Sequence, residues 1–187
     1  MRRIAAALVL AVFLAACGQS DGGSQDAAAE PNSADVNFVQ QMIPHHEQAV
    51  EMAKFVDDRT QRPQLVQLSQ DIISSQSSEI DTMTAWLEEW GEEPAAGGMD
   101  HGGGHDDMTM PGMMTEEEMN GLMGLEGRAF DLTFTEMMIE HHEGAIEMAE
   151  TELEEGSLPA VQDLADQIIE AQEAEIEQMQ GWRHDWR

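Results

Sequence analysis

The chain of 187 residues holds one cysteine, Cys17. It therefore cannot close an intramolecular disulfide, and a structural zinc cage built from thiolates is excluded. Basic residues are nearly as scarce: 8 Lys and Arg stand against 38 Asp and Glu, for a formal charge of −30. Such a surface repels nucleic acid and anionic headgroups and attracts cations, although it also serves as a plain solvated face. No apolar run is long enough to span a bilayer comfortably, the best being residues 4–14. Glycines follow no strand pattern and lie among acids, which argues against a phosphate-cradling loop, and nothing suggests a nucleophilic triad.

The N-terminus reads as processing signal. Met1-Arg2-Arg3 precedes the apolar run, which ends in Leu14-Ala15-Ala16-Cys17. That ending looks like a bacterial lipobox, so residues 1–16 are expected to be a signal peptide and Cys17 the lipidated first residue of the mature chain. The expectation is a protein of the cell envelope, outside the cytoplasm, touching membrane only through its lipid. Residues 17–34 are small and polar without apolar periodicity, the composition of a flexible tether.

Beyond it the chain repeats itself. MIPHHEQAVEMA, beginning at Met42, recurs 96 residues later as MIEHHEGAIEMA, beginning at Met138. Residues 35–91 align with 131–187 without a gap, with 21 of 57 positions identical. A repeat of this kind predicts two copies of one supersecondary unit. Each copy carries two helical patterns, at 35–56 and 63–90, then at 131–155 and 159–186. In the first helix Phe38, Met42, His45, His46, Ala49, Met52 and Ala53 fall within an arc of about 120°. In the second, Leu68, Ile72, Gln76, Glu79, Met83, Trp86 and Trp90 share a face. Pro63 and Pro159 suit a first helical turn, whereas Pro44 predicts a kink or a late start. The four tryptophans are expected to cap one end of the packed helices.

Between the copies, residues 92–114 are too rich in Gly and Pro for a stable helix. Thr115 with Glu118 forms a capping-box pattern opening a short helix over 115–127. Each hairpin exposes an apolar stripe that it cannot bury alone. The expected fold is all-α: an antiparallel four-helix bundle over 35–187, made from two duplicated hairpins.

Two histidine pairs beside methionines on a core-facing stripe make metal binding the first chemistry to weigh. His45, His46, His141 and His142 with Met42, Met138, Met52 and Met148 are the candidate ligands. Gln76, Glu79, Gln172 and Glu175, with Met83 and Met179, face them from the partner helices and could bind or orient an imidazole. Neutral imidazole binds metal, so affinity is expected to fall as pH drops toward ~6.5. The bland alternative is a buried hydrogen-bonded network with methionine as filler. The linker adds Met99, His101, His105, Met108, Met110, Met113 and Met114. Thioether in a solvated loop gains nothing from burial, and as a soft ligand it suits Cu(I), while imidazole accepts either copper oxidation state.

The duplicated HH motifs, with the Gln-x-x-Glu-Ile-x-x-Met-x-x-Trp runs at 76–86 and 172–182, resemble domain-of-unknown-function family 305, which comprises exported bacterial proteins. That resemblance implies a ferritin-like four-helix fold and a role in copper binding outside the cytoplasm. The leading expectation is a non-enzymatic lipoprotein that captures, buffers or delivers copper, with a copper-transport protein as a conceivable partner and no nucleic acid. The alternatives are a ferritin-like metal-dependent oxidase and a metal-free interaction module. Oxidase chemistry normally needs Glu-x-x-His pairs, and here the residues three before His45 and His141 are Met42 and Met138.

Overall fold

In the computed structural model, residues 30–94 and 110–186 are described. They form six helices: α1 Ser33–Lys54, α2 Val56–Arg59, α3 Pro63–Trp90, α4 Glu116–Met123, α5 Gly127–Glu155 and α6 Pro159–Trp186. Helix α1 starts inside the stretch expected to be tether because Asn32 caps it. The Asn32 side chain accepts from the amides of Ala34 and Asp35, and the Asp35 carboxylate accepts from the Asn32 amide at 2.7 Å. Pro44 neither starts nor stops α1, which runs unbroken through it. Helix α3 ends at Gly91, whose φ of 72° closes the turn in the left-handed region that glycine adopts without strain. The Thr115–Glu118 capping box is present, but α4 ends at Met123 and α5 begins at Gly127, well ahead of Asp131. The short helix and the second copy thus meet closer than the repeat alone indicates.

Helix α1 pairs with α3, α5 pairs with α6, and the hairpins join where α1 crosses α5. The result is the four-helix bundle. Its apolar core falls into two clusters. One combines Ala49, Met52, Leu65 and Ile72 of the first copy with Phe134, Met138 and Met179 of the second. The other combines Phe38, Met42 and Met83 with Ala145, Met148, Val161 and Ile168. Advancing the first-copy members of one cluster by 96 places lands on second-copy members of the other, as Met52 to Met148 or Met42 to Met138. The bundle therefore has a pseudo-two-fold axis with α1 and α5 antiparallel across it. A consequence corrects one expectation: stacked Trp86–Trp90 and Trp182–Trp186 belong to different clusters and close opposite ends.

Repeated aspartates tie the hairpins together. Asp35 accepts from the Ser157 amide, the Ser157 hydroxyl and the Leu158 amide at 2.8–3.0 Å, reaching into the α5–α6 turn. Burial alone would raise its pKa, but the donors from Leu158, Asn32 and Ser157 outweigh burial and hold it below the usual carboxylate range. Asp131 instead accepts from Arg62 Nε at 2.7 Å, and the Arg62 guanidinium lies 4.1 Å from the Trp186 ring centre.

Beside Asp35 sits Glu152, 1% exposed, with no hydrogen-bond donor facing either carboxylate oxygen. Two carboxylates cannot hydrogen-bond each other; the Glu152–Asp35 contact becomes a bond only when Glu152 carries a proton. Burial first, and then the Asp35 carboxylate, push Glu152 up to about 8. The matching residue of the first copy is Val56, fully buried. With a folded pKa above the ordinary 4.5, Glu152 stabilises the metal-free fold fully below pH 4.5, and that contribution is lost as pH rises through about 8. Glu152→Gln should remove this slope and stabilise the metal-free protein above pH 8 by about 1–3 kcal/mol, the usual cost of a buried group without a partner. Thermal melts from pH 4 to 9 check it; a parallel pH dependence in the variant would contradict it.

Candidate metal centre

The pseudo-two-fold axis passes between His45 and His141. They are equivalent residues, and their ring centres are 3.8 Å apart. His45, His46, His141 and His142 are all 0% exposed, so both members of each pair are inside rather than one facing a flank. Together with buried Gln76 and Gln172 they form a polar layer between the two apolar clusters. Helical spacing brings this about: the HH pairs stand midway along α1 and α5, where those helices cross.

Three imidazoles are held from outside the layer. His46 Nε2 donates to Glu79 Oε2 at 2.6 Å and His142 Nε2 to Glu175 Oε2 at 2.6 Å, the same bond in each copy. The glutamates are 21% and 19% exposed, so each carboxylate reaches between buried ring and solvent. His45 Nε2 donates to the Pro111 carbonyl at 3.1 Å. Carboxylate and carbonyl only accept, so each of these rings carries a proton on Nε2. Those three Nδ1 atoms are buried without a partner, and His141 lacks one on either nitrogen. Gln76 Oε1 and Gln172 Oε1 are unpartnered too.

Pro111 belongs to a strap on one side of the axis, which gives His45 a strap carbonyl that its equivalent His141 lacks. Residues 110–114 lie in the α1–α5 groove. Gln48 clamps Met114 through both backbone groups, at 2.7 and 2.8 Å. At the equivalent position of the second copy, Gly144 leaves room: a Cβ there would sit 2.1 Å from the Pro111 oxygen. Gly112, with φ 73°, packs on the backbone of Glu140 and His141, where a Cβ would be 2.6 Å from an oxygen. A mismatch between near-identical motifs, Gln48 against Gly144, was the sequence signal for this strap.

Of the candidate methionines, Met42, Met83 and Met148 lie in one apolar cluster and Met52, Met138 and Met179 in the other, flanking the histidine layer. Met114 is buried with the second group, while Met110 and Met113 are half-buried on the strap. Met99, His101, His105, Met108 and Cys17 lie outside the described residues. Among the described residues no three His, Asp or Glu side chains gather closely enough to hold one ion by themselves.

Burial first, then the neighbouring His46, lower His45 to about 3 despite the Pro111 carbonyl; burial and three neighbouring imidazoles drive His141 well below 6.5. Both rings therefore stay neutral far below the pH expected from an ordinary histidine. Proton competition at these two rings begins much lower than ~6.5.

The family described as Domain of unknown function (DUF305) matches residues 35–183. A DUF305 crystal structure from Streptomyces coelicolor is 32% identical with a TM-score of 0.73, covering 82% of this chain and 94% of that one. CopM in its Cu(II)-bound form is 33% identical with a TM-score of 0.70, covering 82% of this chain and 97% of that one. CopM in Cu(I)-bound and Ag-bound forms matches at 30–31% identity. An uncharacterized protein, L153, of Acanthamoeba polyphaga mimivirus is 44% identical over 55 residues, 29% of this chain and 36% of that protein's length.

Gly144→Ala should displace Pro111 and break its bond to His45, at a cost of about 1–3 kcal/mol for the forced fit; melts and the His45 ring ¹⁵N shifts check this. Because the folded pKa of His45 is depressed, stability is present above pH 6.5 and lost as pH falls toward about 3. An acid titration of the metal-free protein followed by circular dichroism should show that loss, and a flat profile over this range would contradict it.

Proposed function

The chain belongs to the DUF305 family, and from that premise we propose that it binds copper at the cell envelope, for capture, buffering or delivery rather than for catalysis. The observation that carries this reading is the set of buried, unpartnered imidazole nitrogens at the bundle centre. An unmet buried polar atom costs about 1–3 kcal/mol. Several such nitrogens in one layer make a ligand there favourable. Coordination offsets that cost. Glu79, Glu175 and the Pro111 carbonyl would fix the three ring tautomers and leave Nδ1 as the ligating atom. With methionines above and below, the layer offers neutral nitrogen and sulfur, a donor set suited to Cu(I). The copper- and silver-bound forms of CopM support the same ion class.

Export and lipidation through Cys17 remain part of the proposal and rest on the N-terminal pattern. No helix among the described residues is long and apolar enough to cross a membrane. The strap would connect the linker methionines and histidines to the buried layer. The ferritin-like oxidase is the weaker reading, because Glu79 and Glu175 are each engaged by a histidine. A metal-free polar layer is the second reading, favoured by the lack of three converging His, Asp or Glu side chains.

Titration of the full chain with Cu(I) against a competing chelator should give submicromolar binding. Glu79→Gln with Glu175→Gln should weaken it by about 10–100-fold, as loss of a ligand-orienting carboxylate does. Substitution without effect on affinity, but with altered melting, would favour the metal-free layer.

A further inference from the structure

The histidine layer is sealed on most sides. The two apolar clusters lie above and below it. On the α1–α5 side the strap covers it, with the Pro111 carbonyl on His45 Nε2 at 3.1 Å and Gly112 packed on the backbone of Glu140 and His141. What reaches outward is the pair of glutamates. The Glu79 side chain is 21% exposed, yet its carboxylate holds His46, which is fully buried. Glu175 does the same for His142.

The surroundings of the two glutamates differ. Glu79 lines a trough of about 370 Å³ between α3 and α6, on the side of the bundle away from the strap. Ser75, Ser78 and Thr82 of α3 line it as well, with Leu164 and Gln167 of α6 opposite. The Ser75 hydroxyl donates to the Asp71 carbonyl at 3.0 Å, and the Thr82 hydroxyl to the Ser78 carbonyl at 2.9 Å. Their protons are thus committed to the helix, and each oxygen keeps a lone pair for a cation. Positions 74, 75, 77 and 78 are all serine. Their equivalents in the second copy are Glu170, Ala171, Glu173 and Ala174. Serine is a poorer helix former than alanine or glutamate, so α3 gains no helical stability from the run.

We propose that this trough is the entrance by which the ion reaches the histidine layer, with Glu79 taking it from the hydroxyl-lined rim and handing it inward beside His46. The inference rests on the copper binding proposed above and adds a route to it. A transit site must bind well enough to admit an ion and weakly enough to release it. Hydroxyls and one carboxylate are hard oxygen donors that hold Cu(I) loosely, whereas the imidazoles and thioethers behind them hold it better. At ~30 Å³ per water, the trough has room for an ion with its hydration shell.

Obstructing a route changes the rates of loading and release by one factor and leaves affinity alone, whereas removing a ligand changes affinity. The test loads the full chain with Cu(I), adds excess chelator and follows release by the chelator's absorbance; loading is followed in the reverse direction and affinity by competition. Ser78 and Gln167 are exposed and lie outside the layer. Ser78→Phe, filling the trough from α3, should slow loading and release by about tenfold with affinity unchanged. Gln167→Phe, filling it from α6, should do the same. Ala174→Phe, the change matching Ser78→Phe beside Glu175, should leave both rates at their wild-type values. Wild-type rates in both trough-filling variants, a loss of affinity in place of slower release, or equal slowing by Ala174→Phe would each overturn this entrance and leave the copper reading standing. A wild type that takes up no Cu(I) would overturn both.

Discussion

Burying four imidazoles and two carboxamides midway along a core is the constraint that organises this protein. A bundle of this length could bury one continuous apolar stripe. Here the stripe is interrupted where α1 crosses α5, and the apolar residues are divided into two clusters on either side. Around the interruption, the glutamates at the flanks and the Pro111 carbonyl orient the rings from outside. The bonds from the Ser157 and Leu158 amides to Asp35, and from the Arg62 guanidinium to Asp131, then hold the two hairpins in the register that keeps His45 against His141.

Much of this was legible in the sequence because the repeat is strong and helical periodicity is its own evidence. The residues placed on the inner arc of α1, from Phe38 to Ala53, are all buried. Gln76 and Gln172 were recognisable as polar interruptions of an apolar face. The remainder was hidden for physical reasons. Periodicity places a residue on a face but does not say which helix crosses which, so antiparallel α1 and α5, and tryptophans at opposite ends, were out of reach. A proline in a helix signals a break only on average; Pro44 costs one backbone bond, and the surrounding packing tolerates it. Glu152 read as one more acid among 38, because its burial depends on a turn formed by Gly156 and Ser157 against Asp35.

The places where the two copies differ are as informative as those where they agree. Gln48 against Gly144 makes the groove grip the strap on one wall and admit it on the other. Val56 against Glu152 makes one half-groove a hydrophobic seat for α4 and leaves the other with a buried carboxyl beside a cavity. Thr60 against Gly156 fits the same pattern, since a Cβ at Gly156 would collide with the Glu152 carboxyl at 1.9 Å.

The interleaving of the two clusters bears on how the chain must fold. Each cluster takes roughly half its side chains from each hairpin, so neither hairpin owns a complete core. One hairpin alone would leave half of each cluster open to water. Only the second hairpin, set about the axis between His45 and His141, closes both at once, so the two halves of this bundle gain their apolar burial together.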